Sequence, residues 1–265
     1  MQYQVTRIPR PSLRWVAELL WSLSLYRVTL RYKESLFGFG WILLQPIALT
    51  IIFTYIFHRF AHVPSGGIPY PLFAATGLVA WSFTAIVCSQ SAVSVSGHTA
   101  LLKRIALPKL LLPASVIVAA VVDLIVMVTL LIAMFIYYHI PLSWMAWWIL
   151  PLFAIHLFLL LGLSCLISLA NVFIRDIGHA LPSLLQLWFF ASPVFYPSFM
   201  VPEDFSGLAR WNPMTGLIEG YRSVLLLGQH PSFRLLIPTA LVSLGLSLFG
   251  LYCFQRLEGD VSDIL

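Results

Sequence analysis

The sequence predicts an all-α integral membrane protein. It should have six transmembrane helices, an N-terminal amphipathic interface helix, and re-entrant half-helices between the fifth and sixth spans. Three observations lead there. Of 265 residues, 60% are hydrophobic and only 9% are charged, where a soluble domain carries about 25% charged residues. The apolar residues come in runs close to the ~20 needed to cross ~30 Å of hydrocarbon as a helix. The charges collect between those runs, where a bilayer leaves them in water or headgroups. No polar stretch is long enough for a soluble domain, so residues 1–265 read as a single transmembrane domain. The net charge of +5 comes from basic residues near span ends and is no nucleic-acid signal. Cys88, Cys165 and Cys253 are widely spaced inside apolar runs and show no disulfide or metal pattern.

In chain order, residues 1–11 are a polar tail containing Pro9 and Pro11. Ser12 has the chemistry of an N-cap for a helix over 12–31. At 100° per residue, Trp15, Leu19, Leu23, Tyr26 and Leu30 share one arc. Arg14, Glu18, Ser22 and Thr29 lie opposite, and Arg27 interrupts the apolar side. That pattern predicts a helix lying in the membrane interface, the alternative being a short helix packed on the protein itself. Spans follow at 39–60, 72–95, 110–138, 144–172, 177–195 and 235–254. Pro46 falls early in the first, and Pro113 opens the third, where proline is tolerated. Residues 139–143 allow only a turn between antiparallel helices. No cleavable signal peptide is expected, because the first apolar run starts near Trp41 and no small-residue cleavage site follows it. Lipidation motifs are absent too.

Residues 196–233 are too apolar for a solvated loop and are broken by Pro197, Pro202 and Pro213. Within them Met214, Leu217, Ile218, Tyr221 and Leu225 line one helical face, with Thr215, Glu219, Arg222 and Ser223 on the other. Glu219 and Arg222 have i,i+3 spacing. Short broken helices at membrane depth survive only against protein or a watery cavity, so this segment reads as re-entrant from the extracytoplasmic side, the alternative being a hairpin lying flat on that face.

The stretch Asn171-Val-Phe-Ile-Arg175-Asp176-Ile-Gly-His179 sets the topology. Arg175, Asp176 and Asp123 are the only charges between Lys109 and Glu203. A charged turn between two apolar runs must lie at a membrane face. With six spans, the N-terminus, residues 97–109, this turn and the C-terminus share one face, which holds all the Lys and Arg except Arg59, Arg210, Arg222 and Arg234. The positive-inside rule then places both termini in the cytoplasm.

Chemistry is sparse. No G-x-x-x-x-G-K-[ST] loop and no His-Glu-x-x-His are present. Gly162-Leu-Ser164-Cys165 with His156 or His179 would be a minimal serine-protease set, but small residues on a span ordinarily allow close helix packing. Asp123, deep in its span, must face protein or water. Asp123 lies 15 residues before Tyr138 and His156 lies 12 after Trp144, so at ~1.5 Å per residue both sit about 20 Å from one face. They are expected to pair, directly or through water. Trp41, Trp188, Phe189 and Tyr196 are candidate channel aromatics, since aromatic faces stack on the C–H faces of sugars. A secondary transporter, a channel subunit and a membrane enzyme remain open as alternatives at this level.

The motifs also resemble a known family. Arg31-Tyr-Lys33-x-Ser35-Leu-Phe-Gly38-x-x-Trp41 with Pro46 opens the match, followed by Gly77 to Trp81 and by Leu102-Lys103 with Pro108 and Pro113. Asn171-x-Phe173-x-Arg175-Asp176, Ser192-Pro193-Val-x-Tyr196, Asn212-Pro213 and Tyr221-Arg222 complete it. Together they resemble the membrane permease of ABC exporters for bacterial cell-surface polysaccharides: O-antigen, capsule and teichoic acid. The resemblance implies a multi-pass homodimer in the bacterial cytoplasmic (inner) membrane. It also implies a short helix between spans two and three, and a lipid-linked glycan moved through a channel between subunits. This chain would bind no cofactor itself, because ATP and Mg would sit on two copies of a separate ATPase subunit. Coupling to that ATPase is expected at Lys103 and Arg104 in the 97–109 segment, at the N-terminal helix, and at Arg175 and Asp176, whose other reading is a span-end cap. Leu36-Phe37-Gly38 departs from the Leu-Gly usual there.

Overall fold

The computed structural model describes residues 12–33, 38, 40–60, 62–98 and 108–264. Among them there are helices and turns and no strand. Ser12 caps the first helix as expected, its hydroxyl accepting from the amide of Trp15. This helix, α1, runs Leu13–Tyr32. The second, α2 (Gly40–Phe53), carries Pro46 and passes into a wider π-helical stretch, Thr54–Phe60. Next come α3 (Tyr70–Ala92) and α4 (Leu111–Tyr137), the latter with Pro113 in its first turn. A single turn Trp144–Trp148, capped by the Ser143 hydroxyl, leads into α5 (Ile149–Phe173). After the Arg175 turn come α6 (Asp176–Phe190), α7 (Glu203–Trp211), α8 (Pro213–Leu225) and α9 (Phe233–Ile264).

Among the described residues, five helical stretches are long and apolar enough to cross a membrane: Gly40–Phe57, Tyr70–Ala92, Leu111–Tyr137, Trp144–Phe173 and Phe233–Leu257. The fifth expected span, 177–195, is shorter than the reading gave. Its helix α6 has 15 residues, a rise of about 22 Å. It stops at Phe190 because Pro193 brings no amide hydrogen and disfavours helix in the residue before it. The chain then folds back, with Ser192, Val194 and Phe195 buried.

The bundle is organised around α3, in whose membrane-length stretch 78% of the residues are buried, against 11% in the stretch Gly40–Phe57 at the periphery. On its other side α5 and α9 pack backbone to backbone. A Cβ on Gly162 would lie 2.5 Å from the carbonyl of Leu246, and one on Gly250 2.7 Å from the oxygen of Gly162. This is small-residue packing, the means by which helices associate where no hydrophobic force separates lipid from protein.

Two helices depart from their expected faces. The apolar side of α8 is inward as predicted, with Met214, Leu217 and Ile218 fully buried, but Thr215 and Arg222 are buried as well. The helix is enclosed nearly all round. In α1 the polar residues Ser24, Arg27 and Arg31 face α4, while Trp21, Leu25, Tyr26 and Leu30 are exposed. Arg27 therefore does not interrupt a lipid-facing stripe; it belongs to the side that packs on protein.

Candidate functional site

A cleft of about 650 Å³ opens between α2, α3, α4 and α6. Four residues of α2 at four-residue spacing, Trp41, Gln45, Leu49 and Phe53, form one wall. Such spacing puts them on one helix face. Trp81, Ser82 and Gln90 come from α3, and Gln186, Phe189 and Phe190 from α6. Trp81 is the keystone: its ring meets those of Trp188 and Phe189, each with centroids 5.4 Å away. The lining thus combines flat aromatic faces with side-chain amides and a hydroxyl. Of the four aromatic candidates, Trp41 and Phe189 line this cleft. Trp188 and Tyr196 instead line a separate cavity of about 890 Å³ with Phe57, Leu159 and Phe205. Trp81, Gln45 and Gln186 were not foreseen as lining, although the four-residue stripe on α2 is readable in the sequence.

One end of the cleft is polar. Both carboxylate oxygens of Asp123 are used, one by the guanidinium of Arg31 and the other by the Tyr32 hydroxyl at 2.6 Å. The expected Asp123–His156 pair does not form. His156 shares a hydrogen bond of 2.8 Å with Thr84 and lies 3.5 Å from the Tyr221 hydroxyl, its ring edge-on to Phe83. Depth alone could not predict this, because α1 supplies a closer cation than α5 can supply an imidazole. Arg27 on α1 donates from Nε to the Ser115 hydroxyl and from Nη2 to the carbonyls of Ser94 and Leu112. Burial, together with the nearby Arg31 charge, lowers the Arg27 guanidinium to about 10. Burial and the bond to Asp123 raise the Tyr32 phenol to about 12. Ser164 makes no nucleophile–base pair: its hydroxyl meets that of Ser91 at 2.6 Å and donates to the Pro113 carbonyl.

At the other end of α6 two side chains tie the fold-back to α8. Asn212 caps α8 through the amide of Met214 and accepts from the Trp188 indole at 3.0 Å. Its own amide donates to the Ala191 carbonyl and the Ser192 hydroxyl. Arg222, 2% exposed, donates to the carbonyls of Phe73, Pro193, Val194 and Tyr196 and to the Glu219 carboxylate. Its guanidinium sits 3.6 Å over the Phe73 ring. Only glycine fits at position 77, where a Cβ would fall 2.8 Å from Arg222 Nη2 and from the Val194 oxygen. The predicted Glu219–Arg222 pair exists at 3.4 Å. This anchoring sets Phe195 face to face with Phe53, centroids 3.6 Å apart, and edge-on to Phe189.

The Arg175 turn has a different character. Asn171 spans it: its amide donates to the Ala92 carbonyl at 2.7 Å, and its oxygen accepts from the Gly178 backbone at 2.8 Å. Asn171 therefore satisfies one first-turn amide of α6, and Asp176 stands in the same first turn, where a carboxylate favours a helix N-terminus. Arg175 and Asp176 are exposed, and neither makes a side-chain ion pair among the described residues. Lys103 and Arg104, the other coupling candidates, lie outside the described residues.

The chain is similar to known proteins along nearly its whole length. The family model described as "ABC-2 type transporter" matches residues 18–226. The "O-antigen export system permease protein RfbA" of Klebsiella pneumoniae is 28% identical over 260 residues, covering 96% of this chain and 97% of that one. The protein of the same description from Myxococcus xanthus is 29% identical over 234 residues, covering 85% and 86%. The "Polysialic acid transport protein KpsM" of Escherichia coli is 24% identical over 246 residues, covering 86% and 91%. The Arg31-to-Trp41 motif, Gly77, Asn171, Arg175-Asp176, Asn212 and Arg222 all lie inside the matched region, and with the membrane-length helices they place this chain in the ABC-2 type transporter family.

Proposed function

We propose that this chain is the transmembrane subunit of an ATP-driven exporter that moves a lipid-linked polysaccharide across the bacterial cytoplasmic membrane. The cleft carries the reading. Trp41, Trp81 and Phe189 offer flat apolar faces, on which the C–H faces of sugar rings stack without fixed hydrogen bonds. Gln45, Gln90 and Gln186 offer amides that can exchange partners with passing hydroxyls. A polymer can slide along such a wall, because neither stacking nor exchanging amides fixes one sugar in place. The similarity to permeases named for O-antigen export and polysialic acid transport supports the same substrate class.

In this reading the subunit works as a homodimer within one membrane domain, with both termini in the cytoplasm. ATP and Mg belong to a separate ATPase. The exposed Arg175 and Asp176 join Lys103, Arg104 and α1 as its docking surface. Arg175→Ala is expected to leave membrane insertion intact and to lower polymer-stimulated ATP hydrolysis several-fold in the reconstituted complex. Unchanged stimulation would remove the turn from the docking surface. The function itself is tested by co-purification with a separate ATPase subunit from the same cells, then by restoration of surface glycan in a strain deleted for this chain. Export that persists without the ATPase would overturn the reading.

A further inference from the structure

The polar edge of α1 carries a second consequence. The Ser24 hydroxyl, which donates to the Leu20 carbonyl of its own helix at 2.7 Å, also lies 3.2 Å from the backbone oxygen of Ser115; Arg27 donates to the Ser115 hydroxyl, and Arg31 to Asp123. These three residues of α1 are spaced three and four apart, so they form one stripe. Their partners advance along α4 in the same direction, from Ser115 to Asp123. The two helices therefore run side by side, joined by polar bonds over about two turns of α1. Asp123 is fully buried. In a low-dielectric setting a buried carboxylate that loses its cation is left as an uncompensated charge. This contact resists separation more strongly than the apolar contacts around it. Arg31, Tyr32 and Asp123 also line the aromatic cleft, so the joint between the helices is also the polar end of the cleft.

We infer that Asp123 is a positioning residue that locks α1 and α4 into one strut, so that a push on α1 moves the polar end of the cleft. The inference rests on the exporter reading above, which supplies the push, and adds the path it takes. The ion pair stays closed through the cycle; it is a rigid link and not a latch. Asp123→Asn keeps the shape and an acceptor for Tyr32 but removes the charge that holds Arg31. Arg31→Lys keeps the charge and loses the planar fork.

The test uses the full chain reconstituted with its ATPase. In the complex that is recovered, Asp123→Asn and Arg31→Gln should lower export and the ratio of polymer-stimulated to basal hydrolysis at least tenfold. Arg31→Lys should recover a large part of both. A purely structural role would lower the yield of complex without changing the ratio of stimulated to basal hydrolysis. The second arm does not depend on folding of the charge variants. Ser24→Cys with Ser115→Cys, with Cys253→Ser to remove the partly exposed native thiol, should crosslink on oxidation and retain export. Loss of export on crosslinking, reversed by reductant, would show that the helices must part and would overturn the strut. Full export by Asp123→Asn would overturn it as well. If the wild-type complex itself fails to export, the exporter reading fails instead, and the two failures are distinguished.

Discussion

Replacing Arg222 by methionine is expected to cost about 3–5 kcal/mol, the range found when one partner of a buried charge cluster is removed. Methionine keeps much of the volume but leaves Glu219 without its cation and takes the donor from four carbonyls. Each buried acceptor left unpaired carries its own desolvation cost of about 1–3 kcal/mol. In detergent the thermal midpoint should fall by roughly 10 °C or more, and abundance in the membrane should fall with it. Arg222→Lys should lie between the two, because a point charge can reach one or two of these oxygens but not all of them at once. The fold-back of residues 191–196 would loosen first, releasing Phe195 from Phe53 and Phe189. A methionine variant as stable as the wild type would show that Arg222 does not hold this segment.

Gly162→Leu should have an effect of similar size for a different reason. Even the first carbon of a side chain at this position would stand 2.5 Å from the backbone of Leu246 and 2.6 Å from the Ser247 nitrogen. Backbone on one helix cannot yield as a side chain tip can, so α9 must move away from α5 along its length. Gly162→Ala is expected to cost about 2–3 kcal/mol, the upper part of the overpacking range, and Gly162→Leu should prevent α9 from docking. The control lies on α9 itself. Gly245 has open space where its Cβ would be, so Gly245→Ala should be neutral, or stabilising by up to about 1 kcal/mol through helix propensity. Protease access to the 226–232 connection and detergent thermal melts would measure both. Equal stability of Gly162→Ala and Gly245→Ala would contradict the close approach.

What the sequence made legible was what bilayer thickness and backbone chemistry dictate. The apolar runs reported five membrane-length helices to within a few residues, Ser12 and Pro113 marked helix starts, and the prolines around 196–233 marked short helices. What it hid were the polar partners. In water an amphipathic helix turns its apolar face inward, but in lipid the outward face is apolar too, so periodicity in α1 could not say which side met the protein. Arg27 therefore looked like a flaw in a stripe, and Asp123 was matched by depth to His156 when its partners stand on α1. The aromatic candidates divided for a similar reason. Trp188 and Phe189 are adjacent, but a helix points neighbours about 100° apart, and only Phe189 turns into the cleft.

The stripe on α1 also bears on how the protein is made. Arg31 leaves the ribosome 92 residues before Asp123, a delay of roughly 5–20 s at ordinary synthesis rates. Until α4 has entered the bilayer, Arg31 lacks Asp123, and Arg27 lacks Ser115 and Leu112, having only the Ser94 carbonyl of the three residues it bonds. The first helix must therefore wait among lipid headgroups and water, and settle against α4 only after insertion of the third membrane-length helix. Its docking is then a late step of biogenesis, although its residues are among the first to be synthesised.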